Sequence, residues 1–461
     1  MSIVNRQLKI GTKVLVVGLG KSGIAAAHWL AHQGAVVTVS EARDESVFDS
    51  RLVADLSHAG IELQFGDHRV ASFLDTDFIV ISPGVPLDIT PVAAAVDRGV
   101  PVMGELELAW RNLSTPSIAV TGTNGKSTVV KLIGEMLSQA GSKVFVGGNI
   151  DVPLTRYIEG PQDADYVVLE VSSFQLDTAL TFSPLVSVVL NISPDHLDRY
   201  PDYEAYIRSK KRIFENQGPD QSLILNDEDP LLQAVEPTRG PRVYRYGINK
   251  QQRRQCFMEQ GRIAVEMPGS ERLTFGLDQV SLSGIHNREN IMAAILAALV
   301  IDTPADGIQK GINSFKGLPH RIEFVGTLGG VDFYNDSKAT NISAAIQSIT
   351  SFSRPVVLIA GGKHKGSDYL PLVNAAEGRV KNAVLIGEAG ILLADAFDGR
   401  IPWSEAGTMD DAVSRAYGRS QEGDVVLLAP ACSSFDMFTN YQHRGAAFRE
   451  AVNRLKHDRQ R

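Results

Sequence analysis

Two glycines three residues apart, then Lys-Ser-Thr, then an apolar pattern of helical period stand in AVTGTNGKSTVVKLIGEM, Ala119 to Met136. The backbone N–H groups of such a turn form a concavity that accepts an anion, and the helix start behind it adds a partial positive charge. Val120 occupies the place of the first glycine in the longer GxxxxGK[ST] form, but Gly122, Thr123, Asn124 and Gly125 keep a compact version of the loop. Lys126 is then placed to neutralise β- and γ-phosphates, and Ser127 or Thr128 to ligate Mg²⁺. ATP is the expected ligand; a glycine turn with an incidental surface lysine is the bland alternative. In VVLEVSSFQ, Glu170 ends an apolar run expected beside the loop's own strand, where a carboxylate either holds Mg²⁺ or caps a buried end. In LNISPDHLDRY, Asp195, His196 and Asp198 gather just past another strand, a grouping that suggests a second cation, against the commoner structural histidine.

A second glycine turn lies near the start. Gly18, Gly20 and Gly23 follow KVLVV and precede the helical SGIAAAHWLAHQG, and Glu41 closes the next strand. This is the dinucleotide-fold arrangement, in which the turn takes a diphosphate and the acid reaches a sugar hydroxyl. The same glycines can also serve only helix-to-strand packing. ISPGV, Ile81 to Val85, ends another strand of that unit near the same crevice.

These residues need a scaffold, and the chain has a clear rhythm. Short β-branched runs such as DFIVISPG, YVVLEVS, PVVLIAGG and DVVLLAP alternate with amphipathic or polar stretches. The pattern predicts βα units with largely parallel sheets, an α/β protein. Its 461 residues exceed one compact core. Three domains are expected: residues 1–112, Rossmann-like; 113–317, a P-loop ATPase-like domain with a mostly parallel sheet; and 318–461, Rossmann-like again. FKGLPHR at the second boundary is the expected hinge. A net charge of -8 argues against a general grip on nucleic acid. Two cysteines, Cys256 and Cys432, are too few for a disulfide framework. No apolar run is long enough to span a bilayer, so a cytoplasmic protein acting on small molecules, without membrane partners, is expected.

A P-loop serves motors, switches, kinases and ligases alike. The ordered set TGTNGKST, GGNI, LEVSSFQL, NISPDHLDRY, SKKRIFEN, LSGIHNREN, GLPHRIEF, YNDSKATN and LLAPACSSFDMF resembles the Mur ligases across nearly the whole chain. GLGKSG, SPG, GELEL and SSFDMF favour the branch that adds D-glutamate to UDP-N-acetylmuramoyl-L-alanine. Folylpolyglutamate synthetases share the ATP module but are not expected to carry this N-terminal domain. The rival outside the enzymes is an ATP-dependent switch.

What the resemblance implies is a carboxylate activated as an acyl phosphate by ATP and then attacked by an amine. It further implies that Lys126 touches the β- and γ-phosphates, that Ser127 and Glu170 hold a first Mg²⁺, and that His196 binds a second. Lys210 in SKKRIFEN matches a lysine carbamylated in the family; composition alone reads it as a solvated helix charge. Asn149 and Ser172 would meet the muramoyl-peptide. Asn287, Asn290, Arg321 and Asp336 would surround the nucleotide. Lys338, Thr340, Lys365, Ser434 and Tyr441 would receive glutamate. Lys21 and Ser22 would approach the diphosphate, Glu41 and Arg43 the uracil and ribose, and Ser82 and Gly84 the far wall. Glu41 and Ala42 stand where an Asp-Thr pair is common, and Tyr441 stands for a common Phe. A monomer is expected.

Overall fold

The computed structural model describes residues 8–197, 199–237, 240–279, 284–364, 366 and 368–460. Three sheets account for the βα rhythm. The first has five parallel strands in the order Glu62–Phe65, Val36–Glu41, Lys13–Val17, Phe78–Ile81, Val102–Gly104. Its order reverses at Lys13–Val17, so the crevice beyond that strand's C-terminal end is a topological switch point, where α/β sheets bind ligands. The first glycine turn lies there. A Cβ on Gly23 would sit 1.9 Å from the Gly18 carbonyl oxygen, so the helix Lys21–His32 can approach the turn this closely only with glycine at that position.

The second sheet has nine strands. Its parallel part runs Val144–Gly148, Tyr166–Glu170, Ser117–Thr121, Val186–Val189, Ser222–Asn226, Arg242–Gly247, Cys256–Glu259, and two antiparallel pairings add Arg262–Val265 and Leu273–Phe275. Ser117–Thr121 is flanked on both sides and reads SIAVT, buried throughout, as a central parallel strand must be. Glu170 pairs in register with Val120, beside the phosphate loop, as the strand pattern predicts.

Both sheets belong to one compact unit, formed by the described residues of Met1–Ile192, Glu204–Asp278 and Asn290–Ser314. The short helix Glu105–Trp110 ties them together with two buried carboxylates. Glu105 Oε1 accepts from the Thr155 N–H (2.8 Å) and hydroxyl (2.9 Å) at the start of helix Leu154–Ile158. Glu107 accepts from the N–H groups of Leu180 (2.9 Å) and Thr181 (3.0 Å) and from Arg111 Nε (2.8 Å). Such buried bonds hold geometry because either partner alone would be left desolvated.

The third sheet forms the second unit, with the described residues of Ser193–Tyr203, Gln279–Glu289 and Phe315–Arg461. Its six strands run Glu323–Leu328, Val331–Asn335, Val425–Leu428, Val356–Gly361, Val380–Ile386, Trp403–Glu405, with only the first pairing antiparallel. Alternate residues of the central strand divide between two cores, Leu358 and Ala360 on one face, Val357 and Ile359 on the other. Both cysteines are buried and neither is in a disulfide. No described helix is long and apolar enough to cross a membrane.

Candidate functional site

The phosphate loop joins strand Ser117–Thr121 to helix Lys126–Gln139. Gly125 has φ +87°, and a Cβ there would lie 2.4 Å from Asn290 Oδ1, so the left-handed turn and the packed asparagine both exclude a side chain. Asn191 braces the loop from the next strand's end. Its Oδ1 accepts from the Asn124 N–H (2.8 Å), its Nδ2 donates to the Asn124 carbonyl (3.1 Å), and its own carbonyl accepts from the Thr123 N–H (2.9 Å). Asn191 belongs to the NISPDH segment but was not among the expected site residues; its type and position after a strand were the available signal.

Lys126 Nζ folds over the loop, donating to the carbonyls of Gly122 (2.7 Å) and Thr123 (2.9 Å). Lys210 Nζ donates to the same Gly122 carbonyl at 2.9 Å and lies 4.7 Å from the centre of the Tyr206 ring. Lys210 is only 2% exposed, so the solvated helix charge that composition suggests is instead a buried group at the loop. Its helix, Tyr203–Lys211, turns that side inward, with the Tyr206 hydroxyl 3.1 Å from Thr123 Oγ1. Thr128 is buried one residue after Ser127.

Ser127 Oγ donates to Glu170 Oε2 at 2.5 Å, and Asn149 Nδ2 donates to Glu170 Oε1 at 2.9 Å. This donor set fits Mg²⁺: a hydroxyl and a carboxylate, hard oxygens side by side at a helix start. Among the described residues no group of three or more His, Cys, Asp or Glu could hold a metal. Ser172, close by in sequence, caps helix Ser173–Asp177 in a reciprocal box with Gln175.

The first glycine turn opens on a cavity of about 400 Å³ that brings together Lys21, Ser22, Glu41, Arg43, Ser82 and Gly84. His68, which no sequence motif marks, lines it too. Both Glu41 oxygens are engaged: Oε2 accepts from the Leu19 N–H (2.7 Å) and Arg43 Nη2 (3.1 Å), Oε1 from the Arg43 N–H and Nε, each at 2.9 Å. Burial would raise this carboxyl, but the bonds from Arg43 and Leu19 prevail and hold it at about 2. The guanidinium so anchored lies 4.6 Å from the centre of the Phe48 ring.

In the second unit, the Asn341 side chain donates to Asp195 Oδ2 at 2.9 Å, bracing the acid beside His196, whose φ is +57°. Asp336 is buried; desolvation raises it to about 6 even though Ser348 and the charge of Arg321 pull the other way. The same arginine, after burial, helps to depress His286 to about 4, next to the buried Asn287. Lys338 Nζ stands 4.0 Å above the Tyr441 ring, and the Thr340 N–H donates to the Lys338 carbonyl at 2.8 Å. Arg444, fully buried, ties the Lys338 and Ser434 segments by donating to the carbonyls of Ser337 (2.9 Å) and Cys432 and Ser433 (3.1 Å each). Sequence reading passes over it because one arginine in a charged helix looks like its solvated neighbours. Asp198 and Lys365 lie outside the described residues.

Three family models match the chain in order: the MurD-like N-terminal domain of Mur ligases over residues 12–104, the Mur ligase middle domain over 120–298, and the Mur ligase glutamate ligase domain over 320–432. The chain belongs to the Mur ligase family. At 44% identity it is similar to proteins from Desulfosudis oleivorans and Acidobacterium capsulatum, over 96% of this chain and 96% of theirs in both cases. Both relatives are named UDP-N-acetylmuramoylalanine–D-glutamate ligase. Solved structures share the fold at lower identity. A pseudomurein peptide ligase type C from Methanothermus fervidus is 20% identical with a TM-score of 0.61, covering 97% of this chain and 100% of its own. A MurF ligase from Thermotoga maritima in complex with ADP is 15% identical with a TM-score of 0.59, covering 98% of each.

Proposed function

We propose that the chain joins D-glutamate to UDP-N-acetylmuramoyl-L-alanine at the expense of ATP, in the cytoplasm, as a step of peptidoglycan precursor synthesis. The observation that carries this reading is the match to relatives of that name, 44% identical along 96% of the chain. The cavity at the first glycine turn and the braced phosphate loop support it, since the reaction requires one site for a nucleotide-linked substrate and another for ATP.

Amide formation from a carboxylate at neutral pH needs a leaving group better than oxide. A carboxylate oxygen attacks the γ-phosphorus and ADP departs; the glutamate amine, having lost a proton, attacks the acyl carbonyl, and the tetrahedral intermediate expels phosphate. Lys126 is assigned to the β- and γ-phosphates, with Gly122, Thr123, Asn124, Gly125 and Thr128 forming the cradle and Asn290 at its wall. Ser127 and Glu170 would hold Mg²⁺, which supplies charge neutralisation to the phosphates. Lys126 and Lys210 direct two ammonium groups at one carbonyl, and carbamylation of Lys210 would replace that repulsion with an anionic oxygen facing a cation. Asn149 and Ser172 are assigned to the substrate end that reacts. Lys21, Ser22, Arg43, Ser82 and Gly84 are assigned to the uridine diphosphate, with Glu41 fixing Arg43. Lys338, Thr340, Lys365, Ser434 and Tyr441 are assigned to glutamate. On this reading residues 1–112 serve the uridine nucleotide, 113–317 ATP and 318–461 the amino acid.

The test is ADP release in a screen of amino acids with the muramoyl nucleotide present, both glutamate enantiomers included. ADP should appear only when the nucleotide and D-glutamate are both supplied. ATP binding without ADP release under any combination would favour a switch instead.

A further inference from the structure

The uridine reading leaves open which group recognises the base. Glu41, the acid expected at the sugar and base, already spends both oxygens on Leu19 and Arg43. Ala42 supplies no polar side chain, and the Ser82 hydroxyl donates to the Gly18 carbonyl at 3.0 Å. Lys21 and Ser22 stand at the helix start, where a diphosphate belongs. Of the side chains lining the cavity, His68 alone is a hydrogen-bonding ring.

Its protonation pattern follows from its neighbours. Nδ1 lies 2.7 Å from Ser40 Oγ, and Ser40 is buried with no other side-chain partner among the described residues. Were Nδ1 to carry the proton, the Ser40 hydroxyl hydrogen would be buried without an acceptor, so the hydroxyl donates and the ring proton sits on Nε2. Burial lowers the imidazole below its ordinary value, against the pull of Glu41 and Asp67, so the ring is neutral at pH 7. Phe73 meets its edge at 5.7 Å between ring centres, 73° from coplanar, and fixes its plane.

We propose that His68 selects uracil, its Nε2–H donating to the carbonyl at position 4 of the base. Cytosine carries an amino group at that position, and a donor would then face a donor, leaving both groups unpaired. The inference rests on the cavity taking a uridine nucleotide and adds to it the residue that distinguishes the two pyrimidines. Ser40 is a positioning residue that acts through the tautomer.

The experiment is calorimetric titration of the full chain with UDP and with CDP, for wild type, His68→Phe and Ser40→Ala, with ATP binding measured on each sample to establish an intact fold. Wild type should prefer UDP by about tenfold or more, the value of one neutral hydrogen bond and one mismatch avoided. His68→Phe, which keeps a ring against Phe73, should reduce that preference to about twofold or less, and Ser40→Ala should give an intermediate ratio. If His68→Phe retains the wild-type ratio, or wild type binds UDP and CDP equally, the assignment of His68 is overturned while the uridine cavity stands. If wild type binds neither, the cavity reading itself falls, and the inference with it.

Discussion

Asn191→Ala should weaken ATP binding while leaving every residue of the phosphate cradle in place. The side chain makes two bonds to the backbone of Asn124, at 2.8 and 3.1 Å, while the third contact, from the Thr123 N–H to the Asn191 carbonyl, survives the substitution. Each bond contributes about 0.5–1.5 kcal/mol net, and the partly exposed Asn124 backbone can recover some of it from water, so about 1–2 kcal/mol is lost. That energy now orders the loop before the ligand arrives; without it the ligand must do the ordering. At about 1.4 kcal/mol per tenfold, the dissociation constant for MgATP rises about 5- to 30-fold. Titration calorimetry reads this directly, with UDP titrated into the same sample as an internal control that should not change. Asn191→Asp should be worse than Ala, because its carboxylate faces the Asn124 carbonyl and adds negative charge beside the phosphates. ATP affinity in Asn191→Ala within about twofold of wild type would refute the argument that these bonds pre-order the loop.

Glu41→Gln should cost about 3 kcal/mol at pH 7, since the folded carboxyl at about 2 lies well below its ordinary 4.5. This stabilisation is present above the unfolded value and lost as pH falls through the folded one, so urea unfolding should show the wild-type advantage shrinking from pH 5 towards pH 2, about 0.5 units per step; a constant gap would contradict it. Asp336 has the opposite sign: its folded value of about 6 exceeds the ordinary 3.8, so the wild type loses stability as pH rises through that window. Asp336→Asn should therefore gain in melting temperature relative to wild type between pH 4 and pH 8, a trend that thermal scans would detect or deny, at about one scan per pH unit. Lys210→Ala should lose turnover that bicarbonate cannot restore and that a small organic acid restores in part; a wild-type rate would remove Lys210 from the mechanism.

Most of the scaffold was legible because a buried parallel strand needs an unbroken β-branched run, and SIAVT or VVLIAG can be little else. Strands at the sheets' margins were not. RIAV and LTF are short and join the sheet only through antiparallel pairing, RIAV with CFME and LTF with RIAV. The phosphate loop and the first glycine turn announce themselves through backbone demands that only glycine meets. Lys210 does not, because nothing in SKKRIFEN separates a lysine turned towards the loop from Lys211 beside it; only packing decides. Glu41 is legible as the acid that closes its strand, but that both its oxygens are used by Leu19 and Arg43 is a matter of side-chain geometry. His68 reaches the cavity because strand Glu62–Phe65 pairs beside Val36–Glu41, a long-range register that no local motif encodes.

The central claim is that ATP makes a carboxylate reactive by phosphorylating it. With oxygen-18 in the terminal carboxylate of the muramoyl-alanine nucleotide, turnover with D-glutamate should deliver one labelled oxygen to the inorganic phosphate released. Label retained entirely in the amide product and its unreacted precursor, with ADP still formed, would contradict it.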